Sequence, residues 1–162
     1  MVELIKYGCR CLIVFAFLSM SINSYGQAKN SIYFEALGNG LVYSLNYDLR
    51  LGDQINGFGA RLGCGYTPLS DSNFLTIPAM ANYLFGNQNH FLEIGAGVVY
   101  YNGDAHFIGD YSYDNNLAST INISYRYQPK DGGLLWRIGW TPVFSDEFNS
   151  AIWIGAGVGY CF

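Results

Sequence analysis

The 162-residue chain is 51% hydrophobic and 17% aromatic, yet only 12% of its residues are charged, about half the share in an ordinary soluble domain. That balance excludes a disordered chain, which is charged and poor in aromatics, and a coiled coil, which is rich in Ala, Glu, Lys and Leu. Lys+Arg 8 against Asp+Glu 12 gives a net charge of −4 with no basic patch, so no nucleic-acid partner is expected.

The first segment is set apart from the fold. Lys6 and Arg10 precede an apolar run of about ten residues, 11–20, and small and polar residues follow up to Gly26. This is the order of a secretory signal, and the run is too short for the roughly 20 residues a membrane-spanning helix needs. Residues 1–26 are therefore read as a cleaved signal peptide and residues 27–162 as one domain. Cleavage removes Glu3, Lys6 and Arg10 and leaves a net charge of −5. Cys9 precedes the apolar run and Cys11 opens it, where a lipidated cysteine would follow it.

From there the sequence alternates with period two, the mark of strands whose two faces differ. The first segment, 29–38, sets Ile32, Phe34 and Ala36 against Tyr33, Glu35 and Leu37. The second, 41–50, sets Leu41, Tyr43, Leu45, Tyr47 and Leu49 against Val42, Ser44, Asn46, Asp48 and Arg50. The third, 56–66, sets Phe58, Leu62, Cys64 and Tyr66 against a glycine-rich face that carries Arg61. The fourth, 74–85, sets Ile77, Tyr83 and Phe85 against Pro78, Met80 and Asn82. The fifth, 90–100, sets Leu92, Ile94 and Val98 against Glu93, Gly95 and Gly97. In the sixth and seventh, 118–128 and 133–142, Arg126 and Arg137 oppose runs of Ile, Tyr and Trp. The last segment, from Ala151, sets Ile152, Ile154, Val158, Tyr160 and Phe162 against Trp153, three glycines and Cys161.

In every segment one face is apolar, and the mid-segment charges fall on the other. Segments of about ten residues match a tilted strand crossing a bilayer, and an even number of them is the pattern of an outer-membrane barrel. Closure is required, because an open edge would leave backbone groups unsatisfied in lipid. The expected fold is all-β: an eight-stranded antiparallel up-and-down transmembrane β-barrel in the cell outer membrane. With the N-terminus in the periplasm, the periplasmic turns are 51–55, 86–89 and 129–132. The surface loops are 38–40, 67–73, 101–117 and 143–149. Lipid-facing aromatics gather at the two ends as interfacial girdles: Tyr47, Phe85, Tyr127, Tyr160 and Phe162 at one, Tyr66, Tyr100 and Trp140 at the other. A soluble lipocalin-like barrel, with its apolar face inward, is the structural alternative. Cys64 and Cys161 fall on opposite faces, so no disulfide is expected.

The stretches 125–129 (Tyr-Arg-Tyr-Gln-Pro), 132–142 and 157–162 carry a resemblance to small eight-stranded outer-membrane β-barrel proteins of Gram-negative bacteria, most of all to uncharacterised barrel proteins of Bacteroidetes. The resemblance spans nearly the whole segment 27–162 and implies fold and location rather than an activity. It also implies that Phe162, ending an alternating strand, is the signal read by the barrel-assembly machinery. Outer-membrane lipid and lipopolysaccharide are the expected surroundings, and the chain is expected to be a monomer.

The chemistry-bearing residues fall in two places. Glu35, Asp48, Arg61, Glu93, Arg126 and Arg137 face the lumen, three of each sign; Arg50 falls at a strand end. They read as a salt-bridge network filling a barrel only wide enough for side chains, or as the gate of a narrow porin-like channel for ions or small solutes. The inward glycines leave room for the large side chains. The repeat Ile-Gly-Ala-Gly-Val at 94–98 and 154–158 is no dinucleotide fingerprint, since no helix follows it. In the longest loop, Asp104, His106, Tyr111 and Tyr113 form a candidate recognition surface. Asp104 and His106 with Ser112 are the one arrangement suited to a lipid A-modifying enzyme, a third reading behind the non-enzymatic ones. No metal site or cofactor is expected: the acidic loop residues lack EF-hand spacing, and His90 lies far from His106.

Overall fold

A computed structural model describes residues 27–68, 73–104, 112–145 and 149–162. Ten strands follow one another: β1 (Asn30–Leu37), β2 (Tyr43–Arg50), β3 (Gly57–Pro68), β4 (Asn73–Asn87), β5 (His90–Asp104), β6 (Ser112–Tyr127), β7 (Gly133–Trp140), β8 (Val143–Phe144), β9 (Asn149–Ser150) and β10 (Ile154–Cys161). A single 3₁₀ turn, Gly38–Gly40, is the helical element among the described residues.

Each long strand pairs antiparallel with the next, and β1 pairs with β10 from Ser31↔Cys161 to Leu37↔Gly155. The sheet thus closes on itself. The two-residue strands β8 and β9 continue β7 and β10 beyond a break, so the barrel has eight staves. Pro142 causes the first break, because it has no N–H to give to the ladder. The neighbouring Thr141 N–H donates instead to the Trp153 carbonyl at 2.8 Å. Consequently Ala151 lies exposed outside the ladder rather than on the inward face the alternation assigns it.

Polarity is inverted relative to a soluble protein. Phe34, Leu45, Leu62, Leu92, Ile94, Ile123, Leu134, Trp136, Ile138, Ile154 and Val158 stand exposed on the outer wall. Ser31, Glu35, Asn46, Asp48, Arg61, Asn82, Glu93, Asn122, Arg126 and Arg137 are buried inside. Cys64 lies on the outer wall and Cys161 in the interior. The soluble alternative, with its apolar face inward, is therefore overturned.

The staves are unequal. β3 to β6 run 12 to 16 residues, whereas β1, β2, β7 and β10 have eight. One wall accordingly rises above the rest at the end away from the chain termini. This corrects the extent of the expected loop 101–117. Asp104 ends β5 and Tyr113 lies in β6, paired as Asp104↔Ser112 and Gly103↔Tyr113. A register shift between Tyr101 and Gly103, with Gly103 at φ 121°, lets the ladder continue past the point where the alternation fades. His106 and Tyr111 lie outside the described residues, as does the segment read as a signal peptide.

The β1–β2 connection also departs from the expected pattern. Leu37 (φ 57°) and Leu41 (φ 67°) are left-handed, an uncommon state for leucine. The reversal turns Leu37 outward and carries Gly38, Asn39, Gly40 and Leu41 into the barrel. Leu41, assigned to the lipid face by alternation, packs with Phe74, Tyr101, Ala118 and Val143. At the end carrying the termini, Ile55, Leu84 and Phe91 form one apolar cluster, and Ala28, Tyr33, Leu135 and Cys161 another.

Candidate functional site: the charged interior of the barrel

Between these apolar ends lies a single polar network. Period-two geometry delivers charged side chains to the lumen from β1, β2, β3, β5, β6 and β7, where they are buried, so each must find partners among the others. Asp48, on β2, is the first centre. Its Oδ1 accepts from Arg50 Nη2 at 2.5 Å and Arg126 Nη2 at 3.3 Å, and its Oδ2 accepts from Asn82 at 2.6 Å. Glu93, on β5, is the second. Its Oε2 accepts from Arg126 Nη1 at 3.2 Å and its Oε1 from Asn122 at 3.0 Å, with Arg137 Nη2 3.4 Å from Oε1. Glu35, on β1, is the third, accepting from Arg137 Nη1 at 2.8 Å.

Tyr33 ties the centres together. Its hydroxyl oxygen accepts from Arg61 Nη1 at 2.7 Å and from Arg137 Nη1 at 3.0 Å. Arg126 and Arg137 also approach its ring, 6.0 and 5.4 Å from the centroid. Arg126 and Arg137 are direct neighbours across β6 and β7, a costly like-charge pair. The carboxylates of Glu93, Glu35 and Asp48 around them offset that repulsion.

All six charges read as lumenal from the sequence are thus buried in one connected group. The pairing differs from a simple neighbour rule. Asp48 and Arg61 face each other across β2 and β3, yet Asp48 is taken up by Arg50, Arg126 and Asn82. The sequence reading left out Arg50, which is buried against Asp48 and also donates to Asn82 Oδ1. Its signal was present, since Arg50 shares inward parity with Asp48 two residues earlier. Tyr33, Asn82, Asn122 and Ser124 carried the same parity signal. Asn39 carried none; it enters because its turn folds inward, where it donates to Thr120 at 2.6 Å and accepts from Arg61 Nη2 at 2.6 Å.

Space for this network comes from glycine. A Cβ at Gly157 would lie 3.1 Å from Arg137 Cγ and 3.2 Å from the Tyr33 ring, and one at Gly59 would strike the Arg50 guanidinium. Chemically, the arrangement offers dense, mutually paired charge, with some donors and one carboxylate oxygen left over, and apolar closure at each end.

Comparison with known proteins agrees with this architecture. The chain is similar to the crystal structure of the N-terminal β-barrel domain of Pseudomonas aeruginosa OprF, with a TM-score of 0.62 over 85% of this chain and 99% of that one. Identity is 17%, so the likeness is one of fold. No protein-family model and no curated protein matches the sequence. Fold and site together define an all-β, closed eight-stranded antiparallel barrel with an apolar outer wall and a charged, packed interior.

Proposed function

We propose that this is an integral protein of the bacterial outer membrane, sent across the inner membrane by residues 1–26, whose role is structural or one of surface interaction. The observation that carries the reading is the inverted polarity: a closed wall of Ile, Leu, Val and aromatic side chains around buried charge is stable in lipid and unstable in water. The fold likeness to the OprF barrel supports the same location. In this reading the termini lie in the periplasm, the tall β3–β6 wall faces outward, and Phe162 is the feature met by the assembly machinery. Phe162 joins Asn30 at the seam through N–H···O bonds of 2.8 and 3.0 Å. The chain is non-enzymatic and monomeric, with lipopolysaccharide and outer-membrane lipid around it. Kinship with small Bacteroidetes barrels rests on the stretches 125–129, 132–142 and 157–162.

The lumen is filled by side chains, so the barrel is closed to solutes. The network of Arg and Glu across its full width favours one second reading, a narrow ion channel in which these groups form the filter. Planar-bilayer conductance of refolded residues 27–162, checked first for heat-modifiable migration on a gel, separates the two. A folded but silent barrel is the expected result. Steady unitary currents that change when Arg137 or Glu93 is neutralised would establish the channel instead.

A further inference from the structure

Among the described residues the interior charges do not balance. Arg50, Arg61, Arg126 and Arg137 face three carboxylates, those of Glu35, Asp48 and Glu93. The imbalance has an address. Arg50, Arg126 and Arg137 each donate a hydrogen bond to a carboxylate. Arg61 donates to neutral acceptors: the Tyr33 hydroxyl, Asn39 Oδ1 and Met80 Sδ. Its nearest carboxylate oxygens, Glu35 Oε1 and Glu93 Oε1, are both 3.9 Å away, beyond hydrogen-bond reach. Its side chain is fully buried, and both of those carboxylate oxygens lie closer to Arg137, so Arg61 is neutralised only through two long, shared ion pairs.

The Nε of each of the four arginines has no hydrogen-bond partner among the described residues, and neither has Glu35 Oε2; those of Arg61 and Arg137 belong to the two guanidiniums that share the Tyr33 hydroxyl. Tyr33 accepts from both guanidiniums and donates to no acceptor among the described residues, which leaves its O–H available. One surplus positive charge and several orphaned donors around a shared phenol are the requirements for holding a small anion. Asn39 and Met80 crowd the remaining side of Arg61, which limits size and excludes polyatomic organic acids.

We propose that Arg61, with Tyr33 and Arg137, binds a small inorganic monoanion of the halide class in the lumen. The anion is taken up as the barrel closes during folding and neutralises the fourth arginine. This goes beyond the proposed location and role and does not depend on whether the lumen conducts.

The test is refolding of residues 27–162 into vesicles in sodium chloride or in sodium gluconate at equal ionic strength. The midpoint of thermal unfolding is read from the heat-modifiable band. For the native sequence it should rise by several degrees from about 1 mM to about 100 mM chloride and then saturate, as mass action requires of a folded-state ligand. Arg61→Met, which leaves charges of three and three, should refold equally well in both salts with no chloride response. Equal midpoints in chloride and gluconate for the native sequence would overturn the proposal, as would a chloride response that survives Arg61→Met. If Arg61→Met does not fold, bromide decides the matter. Anomalous density beside Arg61 and Tyr33 in crystals of the native barrel supports the site; bromide confined to the protein surface, an adventitious ion only, refutes it.

Discussion

Arg137 lies 2.8 Å from Glu35 but 3.4 Å from Glu93, and the guanidinium that hydrogen-bonds Glu93 belongs to Arg126. The carboxylates are therefore apportioned, one principal partner each, rather than shared evenly. A double-mutant cycle on Glu35→Gln and Arg137→Gln should show a coupling of about 1–3 kcal/mol. The same cycle on Glu93 and Arg137 should show less. Arg137→Met alone should cost about 3–5 kcal/mol, because it removes the hydrogen bonds to Glu35, Tyr33, Asn122 and Ser124 and leaves Glu35 with Arg61 at 3.9 Å, beyond hydrogen-bond reach. Urea unfolding in vesicles measures all of these; equal coupling in the two cycles would contradict the apportionment.

The alternation made this much legible. Every strand long enough to show period two was assigned its correct faces, because a one-residue slip would put arginine into lipid and leucine into the charged lumen. Parity fails where the backbone leaves the extended state. Leu37 and Leu41 illustrate this: two left-handed residues invert the faces, and nothing in the residue types announces it. Pairing within the lumen was also hidden. It depends on strand stagger and on side-chain reach, which bring Arg126 to Ser31, 95 positions away, at 2.9 Å.

Glycine spacing gives a second prediction. A Cβ at Gly59 would overlap the Arg50 guanidinium and sit 2.6 Å from the Leu49 carbonyl oxygen. The first clash pushes Arg50 from Asp48, and the second is with backbone and cannot relax cheaply. Gly59→Ala should destabilise the barrel by about 1–3 kcal/mol. Gly52→Ala is the control: it lies in an exposed turn with its nearest neighbouring atom 4.0 Å away, and should change stability by less than about 0.5 kcal/mol.

The inturned β1–β2 connection yields two substitutions with different signs. Leu37 is half-exposed and holds φ 57°, ψ −131°, a region that costs leucine about 1–3 kcal/mol. Leu37→Gly should relieve that strain, less the greater freedom glycine has in the unfolded chain, and come out neutral or up to about 1 kcal/mol more stable. Leu41 is equally left-handed but buried against Phe74, Tyr101, Ala118 and Val143. Leu41→Ala keeps the strain and loses the packing, so it should cost about 2–5 kcal/mol. Equal losses at both positions would mean that the turn is not folded inward.

The two cysteines report the polarity of the wall directly. Cys64 stands on the outer face of β3 between Leu62 and Tyr66, within the band meant for acyl chains. Cys161 is buried on β10, its Sγ 3.3 Å from the Gly133 carbonyl oxygen. In lipid vesicles a membrane-permeant apolar maleimide should label Cys64, and a charged, water-soluble one should not. Neither reagent should reach Cys161 until the barrel is unfolded in denaturant, when both thiols should react. Labelling of Cys64 by the charged reagent in intact vesicles would place this face in water. It would thereby remove the membrane reading, whatever the conductance shows. Labelling of native Cys161 would instead open the terminal end of the barrel, where Ala28, Tyr33 and Leu135 now pack against it.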